Sequence, residues 1–442
     1  MKFAHQFQVA LQEEGFPEQW VKEAFPYKQL KKTIKRVANE LEAHNVDLTK
    51  LPEGSFEYNF KGDRKGFTPK LTLFYENKPG SNKTQPVKSI LSLFPRDPVS
   101  TNEATNEAID QAGLDANSSP STIPDAVPGS EKATDYRQVE IVVPLMFDAE
   151  FFGLIQGDVQ SLDQIQQRER EDLVQEVNNL HRELVPLAEP AKNRKKSDMY
   201  KWRELFEIYL DAGVFFSRRE ESRGPRTSAE AKKQLEWFQG EVKRRGLATN
   251  FQLPGSKKAL DRFLKINVTL WQNLKYQEIN QQAVGKILKK FDKNTHLGAS
   301  QTFSKLIESH SIMSEDMAKA ICAKINDDVV NITPKLSDYI CPVCTSIVWR
   351  PIRLKCQHNI CVNCCIHFQN HRMRFCPLCR AETIMEADTD SIDADLSRYL
   401  KRYFVDEVRE KQIENEIKDG RERFGVLYRH PTERKHMHCS VM

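Results

Sequence analysis

Cys341-Pro342-Val343-Cys344, eleven residues, Cys356-Gln357-His358-Asn359-Ile360-Cys361-Val362-Asn363-Cys364, eleven residues, then Cys376-Pro377-Leu378-Cys379: this stretch decides the reading of the chain. Thiolates and imidazoles at such spacing are zinc ligands, and a Cys-x2-Cys turn presents two of them from one tight bend. Seven cysteines and His358 make eight ligands, enough for two closed four-coordinate sites, hence two Zn2+. Closed sites leave no open position for a metal-bound water, so hydrolytic zinc chemistry is disfavoured. Spacing alone leaves open whether the two sites are consecutive or interleaved. Cys365 adjoins Cys364, but Cys364 keeps the x2 spacing; Cys322 and Cys439 lie outside the cluster.

The rest of the chain is of another kind. Its 442 residues suggest two or three folded units at ~150 residues each. With 66 Lys and Arg against 62 Asp and Glu, the net charge of +4 is too balanced for a general nucleic-acid coat, and any electrostatic function must use local clusters. The metal region lacks basic residues interleaved with aromatics, so no nucleic-acid partner is expected. No apolar run is long enough to span a membrane, and Met1 to Gln8 lacks a secretory h-region. A cytoplasmic protein without structural disulfides is expected. The basic, Pro-containing break Glu189-Pro190-Ala191-Lys192-Asn193-Arg194-Lys195-Lys196 reads as a solvated linker, with a nuclear-import signal as the alternative that leaves a nuclear pool open.

Two lysine stripes stand out in the N-terminal part. Lys286, Lys289, Lys290 and Lys293 recur at i, i+3, i+4, i+7, opposite Val284, Ile287, Leu288 and Phe291. Lys28, Lys31, Lys32 and Lys35 repeat the arrangement opposite Leu30, Ile34, Val37 and Leu41, with Tyr27 one turn before Lys31. Stacked ammonium groups at i, i+4 destabilise a helix by ~0.2–0.5 kcal/mol per pair, and a bound anion reverses the sign. Compact ammonium groups suit phosphate; a plain solvated face is the alternative.

Across 341–379 the chain resembles the RING finger family in its seven-Cys, one-His form. The resemblance implies interleaved ligands, one zinc on Cys341, Cys344, Cys361 and Cys364 and the other on Cys356, His358, Cys376 and Cys379. It also implies a ubiquitin-conjugating enzyme as partner, contacted by Val343, Phe368 and Pro377, and assigns Arg380 the catalytic part of a cationic linchpin between that enzyme and ubiquitin. The family often has Trp where Phe368 stands. Small-core packing is the alternative for the three apolar residues, and an ordinary surface charge for Arg380.

Met1-Lys2-Phe3, Tyr27-Lys28-Gln29-Leu30-Lys31-Lys32 and the 286–293 segment, together with Asn280 and a long helix expected over 147–184, resemble the SPX domain family. That resemblance implies a helical sensor of inositol polyphosphates and pyrophosphates in phosphate homeostasis, with Lys2, Tyr27, Lys31, Lys286, Lys289, Lys290 and Lys293 in the site. Phe25-Pro26 occupies the place where the family often has a second aromatic.

The expected fold is mainly α: an SPX-like long-helix bundle over 1–310 with a disordered insertion at 77–134, a helical linker over 311–340, a small α+β zinc-binding RING finger over 341–380, and a C-terminal helix and tail over 381–442. Strands are expected at Leu71 to Tyr75 and Gln138 to Met146. The expected activity is RING-type transfer of ubiquitin to a protein substrate, against a non-enzymatic scaffold as the rival. Cys439-Ser440-Val441-Met442 fits a C-a-a-X prenylation pattern at Cys439, which would give reversible membrane contact.

Overall fold

A computed structural model describes residues 3–44, 46–51, 55–63, 66–76, 138–190, 197–217, 224–307 and 316–434. The expected insertion at 77–134, Lys2 and Cys439 lie outside the described residues. The elements in chain order are α1 (Phe3–Glu13), α2 (Glu18–Glu23), α3 (Tyr27–Ala43), β1 (Phe56–Asp63), β2 (Gly66–Glu76), β3 (Gln138–Val143), α4 (Phe147–Leu187) and α5 (Met199–Ala212). The short strands β4 (Phe216–Ser217) and β5 (Gly224–Pro225) precede α6 (Ser228–Arg244), α7 (Pro254–Thr295), α8 (Ala299–Ile307) and α9 (Asp316–Asp328). Then come β6 (Pro351–Arg353), β7 (Asn359–Cys361), α10 (Val362–Asn370), α11 (Ala394–Tyr403), α12 (Val405–Phe424) and α13 (Pro431–Arg434). The fold is mainly helical with a small C-terminal α+β module, as the sequence leads one to expect.

The chain forms two compact units, Met1–Ile165 with Tyr276–Ser314 and Gln166–Lys275 with Glu315–Met442. In the first, Pro17 and Pro26 sit at the N-caps of α2 and α3, where a missing N–H costs nothing. Helix α3 buries Leu30, Ile34, Val37 and Leu41, and α7 buries Val284, Ile287, Leu288 and Phe291, all in one core. Asn280 secures α7 to the bend before α3: its Oδ1 accepts the Phe25 N–H at 3.0 Å and its Nδ2 donates to the Tyr276 carbonyl at 2.9 Å. Phe152 of α4 lies against the rings of Phe60, Phe303 and Phe291, at 4.8, 4.8 and 5.0 Å between centres.

An antiparallel sheet in the order β1-β2-β3 adds to the bundle. Its second and third strands are those expected at Leu71 to Tyr75 and Gln138 to Met146, and β1 is a further strand. Polar groups at the N-terminus of α4 fix it both to α3 and to the sheet. Glu40 accepts the Met146 and Phe147 N–H groups at 2.8 and 3.0 Å, satisfying orphan donors and complementing the helix dipole. Tyr58 of β1 donates its hydroxyl to Asp148 Oδ2 at 2.9 Å, and the Ala149 N–H donates to Oδ1 at 2.6 Å.

In the second unit, α5, α6, α9 and the N-terminal half of α7 enclose Trp202, Phe206, Phe238 and Phe263. Asp198 organises the start of α7. Burial alone would raise its pKa, but donation from the Gln252 and Leu253 N–H groups and the Ser256 hydroxyl holds the carboxyl below its ordinary range. A third, small core holds the cysteine region together with Ile352, Leu354, Ile384, Leu400 and Phe404.

Burial, more than the Glu40 charge, pushes Asp148 from its ordinary 3.8 up to about 6, partly offset by the Tyr58 hydrogen bond. A carboxyl whose pKa rises on folding makes its stability contribution when protonated, and loses it as pH climbs from about 4 through about 6. Asp148→Asn is therefore expected to raise the melting temperature at pH 8 and to lose that advantage near pH 4. Its amide can still meet both neighbours, because the Tyr58 hydroxyl accepts as well as donates. Thermal melts at the two pH values check this, and an equal shift at both would contradict it.

Candidate metal centre and basic surface

Two identical turns build the metal region. In Cys341-Pro342-Val343-Cys344-Thr345 the Thr345 N–H donates to the Cys341 carbonyl at 2.9 Å; in Cys376-Pro377-Leu378-Cys379-Arg380 the Arg380 N–H donates to the Cys376 carbonyl at 2.9 Å. The chain leaves each turn through a left-handed residue, Thr345 at φ 53° and Arg380 at φ 60°. The Cys341 and Cys376 N–H groups then donate to Ser346 and Ala381 carbonyls, both at 2.8 Å. Both thiols of each turn thus face one point.

The other ligands come from a hairpin and the helix after it. Strands β6 and β7 pair antiparallel, with Pro351 opposite Cys361 and Arg353 opposite Asn359. Their connection turns at Gln357, φ 68°, which sets Cys356 and His358 on the same side of the bend. Cys361 ends β7, and Cys364 lies in the first turn of α10.

The structure decides between consecutive and interleaved sites. Cys341, Cys344, Cys361 and Cys364 form one group and Cys356, His358, Cys376 and Cys379 the other, with all ligand atoms of a group within 4.8 Å of one another. The Cys341–Cys364 and Cys344–Cys361 sulfurs are 3.9 and 3.8 Å apart. Four sulfurs placed tetrahedrally at ~2.3 Å from an ion would lie ~3.8 Å from each other, so the donor set fits such a metal. In the second group His358 turns Nδ1 toward Cys376 Sγ at 3.7 Å. Cys365 is buried in the core and belongs to neither group. Cys322, on α9, packs against the helical core of the second unit, its thiol pushed up to about 12 by burial, and is chemically quiet.

Around the metal region, Val343 and Phe368 are half-buried against the small core, whereas Pro377 and Arg380 are exposed. Gln369 pins α10 by donating to the Ile384 and Ala387 carbonyls at 2.9 and 2.7 Å. Leu378 and Phe375, 56% and 59% exposed, add apolar surface beside Pro377 that the sequence reading misses. The signal for Leu378 is its place in the repeated turn, which matches that of Val343.

In the first unit, Lys28, Lys31, Lys32 and Lys35 are exposed on α3, and Lys286, Lys289 and Lys293 on α7, with Lys290 half-buried. Tyr27 is half-buried, its ring 5.1 Å from that of Phe3. Burial raises its pKa, so the hydroxyl stays protonated and can donate. Other cations of this unit find carboxylates, as Arg36 does with Glu150 at 2.9 Å and Lys50 with Asp47 at 2.8 Å. Among the described residues, none of the eight stripe lysines has a carboxylate within ion-pair distance. Both stripes are thus uncompensated positive faces on helices that share one core.

A family model for the SPX domain matches residues 1–307. An uncharacterised RING finger protein of Schizosaccharomyces pombe is 31% identical over 94% of this chain and 96% of its own length. A Candida albicans protein named transcriptional regulator of yeast form adherence 3 is 30% identical over 97% of this chain and 97% of its own length. No solved structure matches.

The Trp349 backbone N–H donates to Cys361 Sγ at 3.2 Å, and the Trp349 side chain is half-buried against the core that holds Cys361, so its emission reports on the first group. Cys361→Ser is expected to lower metal content by at least one ion per chain and to shift the Trp349 emission toward that of an exposed indole. Elemental analysis beside fluorescence checks this; a variant that keeps the full metal complement would contradict the ligand set.

Proposed function

This chain belongs to the SPX domain family and carries a RING finger, and on that premise we propose that it is a RING-type ubiquitin-protein ligase governed by inositol polyphosphates. The observation that carries the reading is the interleaved pair of four-ligand groups with an exposed apolar and cationic surface beside them. Zinc in both groups would supply rigidity alone, since all four positions are taken by side chains.

The chemistry belongs to the partner enzyme. A substrate lysine amine attacks the carbonyl carbon of the ubiquitin thioester; the C–N bond forms, the C–S bond breaks, the conjugating enzyme's thiolate leaves, and the amine releases its proton. No cysteine of the metal groups is available to carry ubiquitin. The chain's part is proximity and orientation: Val343, Phe368 and Pro377, with Leu378, would hold the conjugating enzyme, and Arg380 would fix ubiquitin against it. Arg380 suits this because its backbone is set by the turn while its side chain has no carboxylate partner among the described residues.

The stripes support the regulatory half. Eight ammonium groups without a carboxylate partner among the described residues repel one another, and a polyanion held by Lys31, Lys286, Lys289, Lys290 and Lys293, with the Tyr27 hydroxyl and Lys2, would turn that repulsion into attraction.

Discharge of ubiquitin from a charged conjugating enzyme to free lysine tests the ligase reading. The zinc-loaded protein should accelerate it, and Arg380→Ala should slow it roughly tenfold, about 1.5 kcal/mol for one charge-assisted hydrogen bond, with metal content unchanged. No acceleration with any of a panel of conjugating enzymes would favour the scaffold reading.

Replacing Lys31, Lys289 and Lys290 with Ala should weaken inositol hexakisphosphate binding by roughly two orders of magnitude and flatten its salt dependence. The ligand-free melting temperature should hold or rise. Calorimetry giving the native affinity would reduce the stripes to solvated faces.

A further inference from the structure

A buried guanidinium on α5 meets the elbow between α11 and α12, which packs on the core of the metal module. Arg203, on α5, is 5% exposed. Its Nη2 donates to the Tyr403 carbonyl at 2.8 Å and its Nη1 to Glu407 Oε1 at 3.4 Å. The guanidinium carbon lies 4.2 Å from the centre of the Phe404 ring and 4.8 Å from that of Tyr200. Tyr200 completes the contact: its hydroxyl donates to Glu407 Oε2 at 3.0 Å and accepts the Asp406 N–H at 3.3 Å.

The partners of Arg203 are the two ends that meet at one elbow. Tyr403 is the last residue of α11, so its carbonyl is one of the orphan acceptors of a helix C-terminus, where a cation is favoured. Glu407 lies in the first turn of α12, where an anion is favoured. Phe404 between them is fully buried, packs its ring 5.3 Å from Tyr339, and shares a core with Cys341 and Cys361. A planar fork set against two rings and bonded to both helices constrains orientation as well as distance, which a lysine could not do. The contact leaves the proposed enzyme-binding side open, since Pro377, Leu378 and Arg380 are exposed.

We infer that Arg203 is a positioning residue that fixes the metal module on the α5 side of the unit, and so restricts which lysines the carried ubiquitin can reach. This rests on the ligase reading. Arg203 contributes nothing to thioester chemistry and touches neither the metal groups nor the proposed enzyme contacts; its effect is on the choice of acceptor amine.

The test uses full-length, zinc-loaded protein with Arg203→Met, which keeps the side-chain volume, and Glu407→Ala, which removes the other half of the pair from an outer position. Three quantities are read: discharge of ubiquitin to free lysine, amide hydrogen exchange over 394–410, and the lysines modified in autoubiquitination, mapped by mass spectrometry. Discharge within twofold of native, exchange at least tenfold faster, and a broadened set of modified lysines is the result expected. Native exchange together with the native set of lysines in both variants would overturn the inference. Should Arg203→Met lose zinc or discharge, Glu407→Ala decides by the same criteria. A native protein that discharges nothing would overturn the ligase reading and this assignment with it, and that control separates the two failures.

Discussion

Neither metal group can close from neighbouring residues. Cys344 must meet Cys361 across 17 residues, and Cys356 and His358 must meet a turn that begins at Cys376. With an ion in place, each group would therefore pin the loop that carries the other's ligands, which would make the module one cooperative object. Its own core is a handful of side chains, among them Ile352, Leu354, Ile360 and Ile384, too little apolar surface to order the segment without metal. The exposed surface beside the groups, from Pro377 to Arg380, owes its shape to the same constraint, because the turn that places Arg380 is the turn that presents Cys376 and Cys379.

The first unit follows the opposite logic. Its core is large and aromatic, with Phe151, Phe152, Phe291 and Phe303 all fully buried, and it needs no ion to form. That surplus tolerates two stripes of like charge on α3 and α7, where each i, i+4 pair costs about 0.2–0.5 kcal/mol. Among the described residues that charge has no carboxylate partner, and on the proposed reading it would be met by a bound polyanion, with the protonated Tyr27 hydroxyl beside it.

The parts legible in the sequence are those written in short-range periodicity. Helical spacing marks the buried face of α3 and of α7, and with it the lysines opposite; the Cys-x2-Cys turns mark the metal region. The grouping of ligands is topological and comes only with the resemblance or the fold. Strand β1 carries a clear alternation, Phe56, Tyr58 and Phe60, that a reading confined to Leu71 to Tyr75 leaves out. Helix α12 has no such signal: the residues it buries are Val408, Lys411, Asn415 and Gly420, mostly polar and without an apolar period. Gly420 is small because the Tyr428 ring lies where a Cβ would stand, at 2.1 Å, a close approach made by chain that folds back after the helix. Arg203 is invisible for a plainer reason, since its partners lie 200 and 204 residues away.

The most direct measurement of the central claim is mass spectrometry of the purified full-length protein under native and then denaturing conditions. The account predicts a 51.2 kDa chain that carries two zinc ions when native and releases both when unfolded. A folded chain that holds one zinc ion, or none, would contradict it.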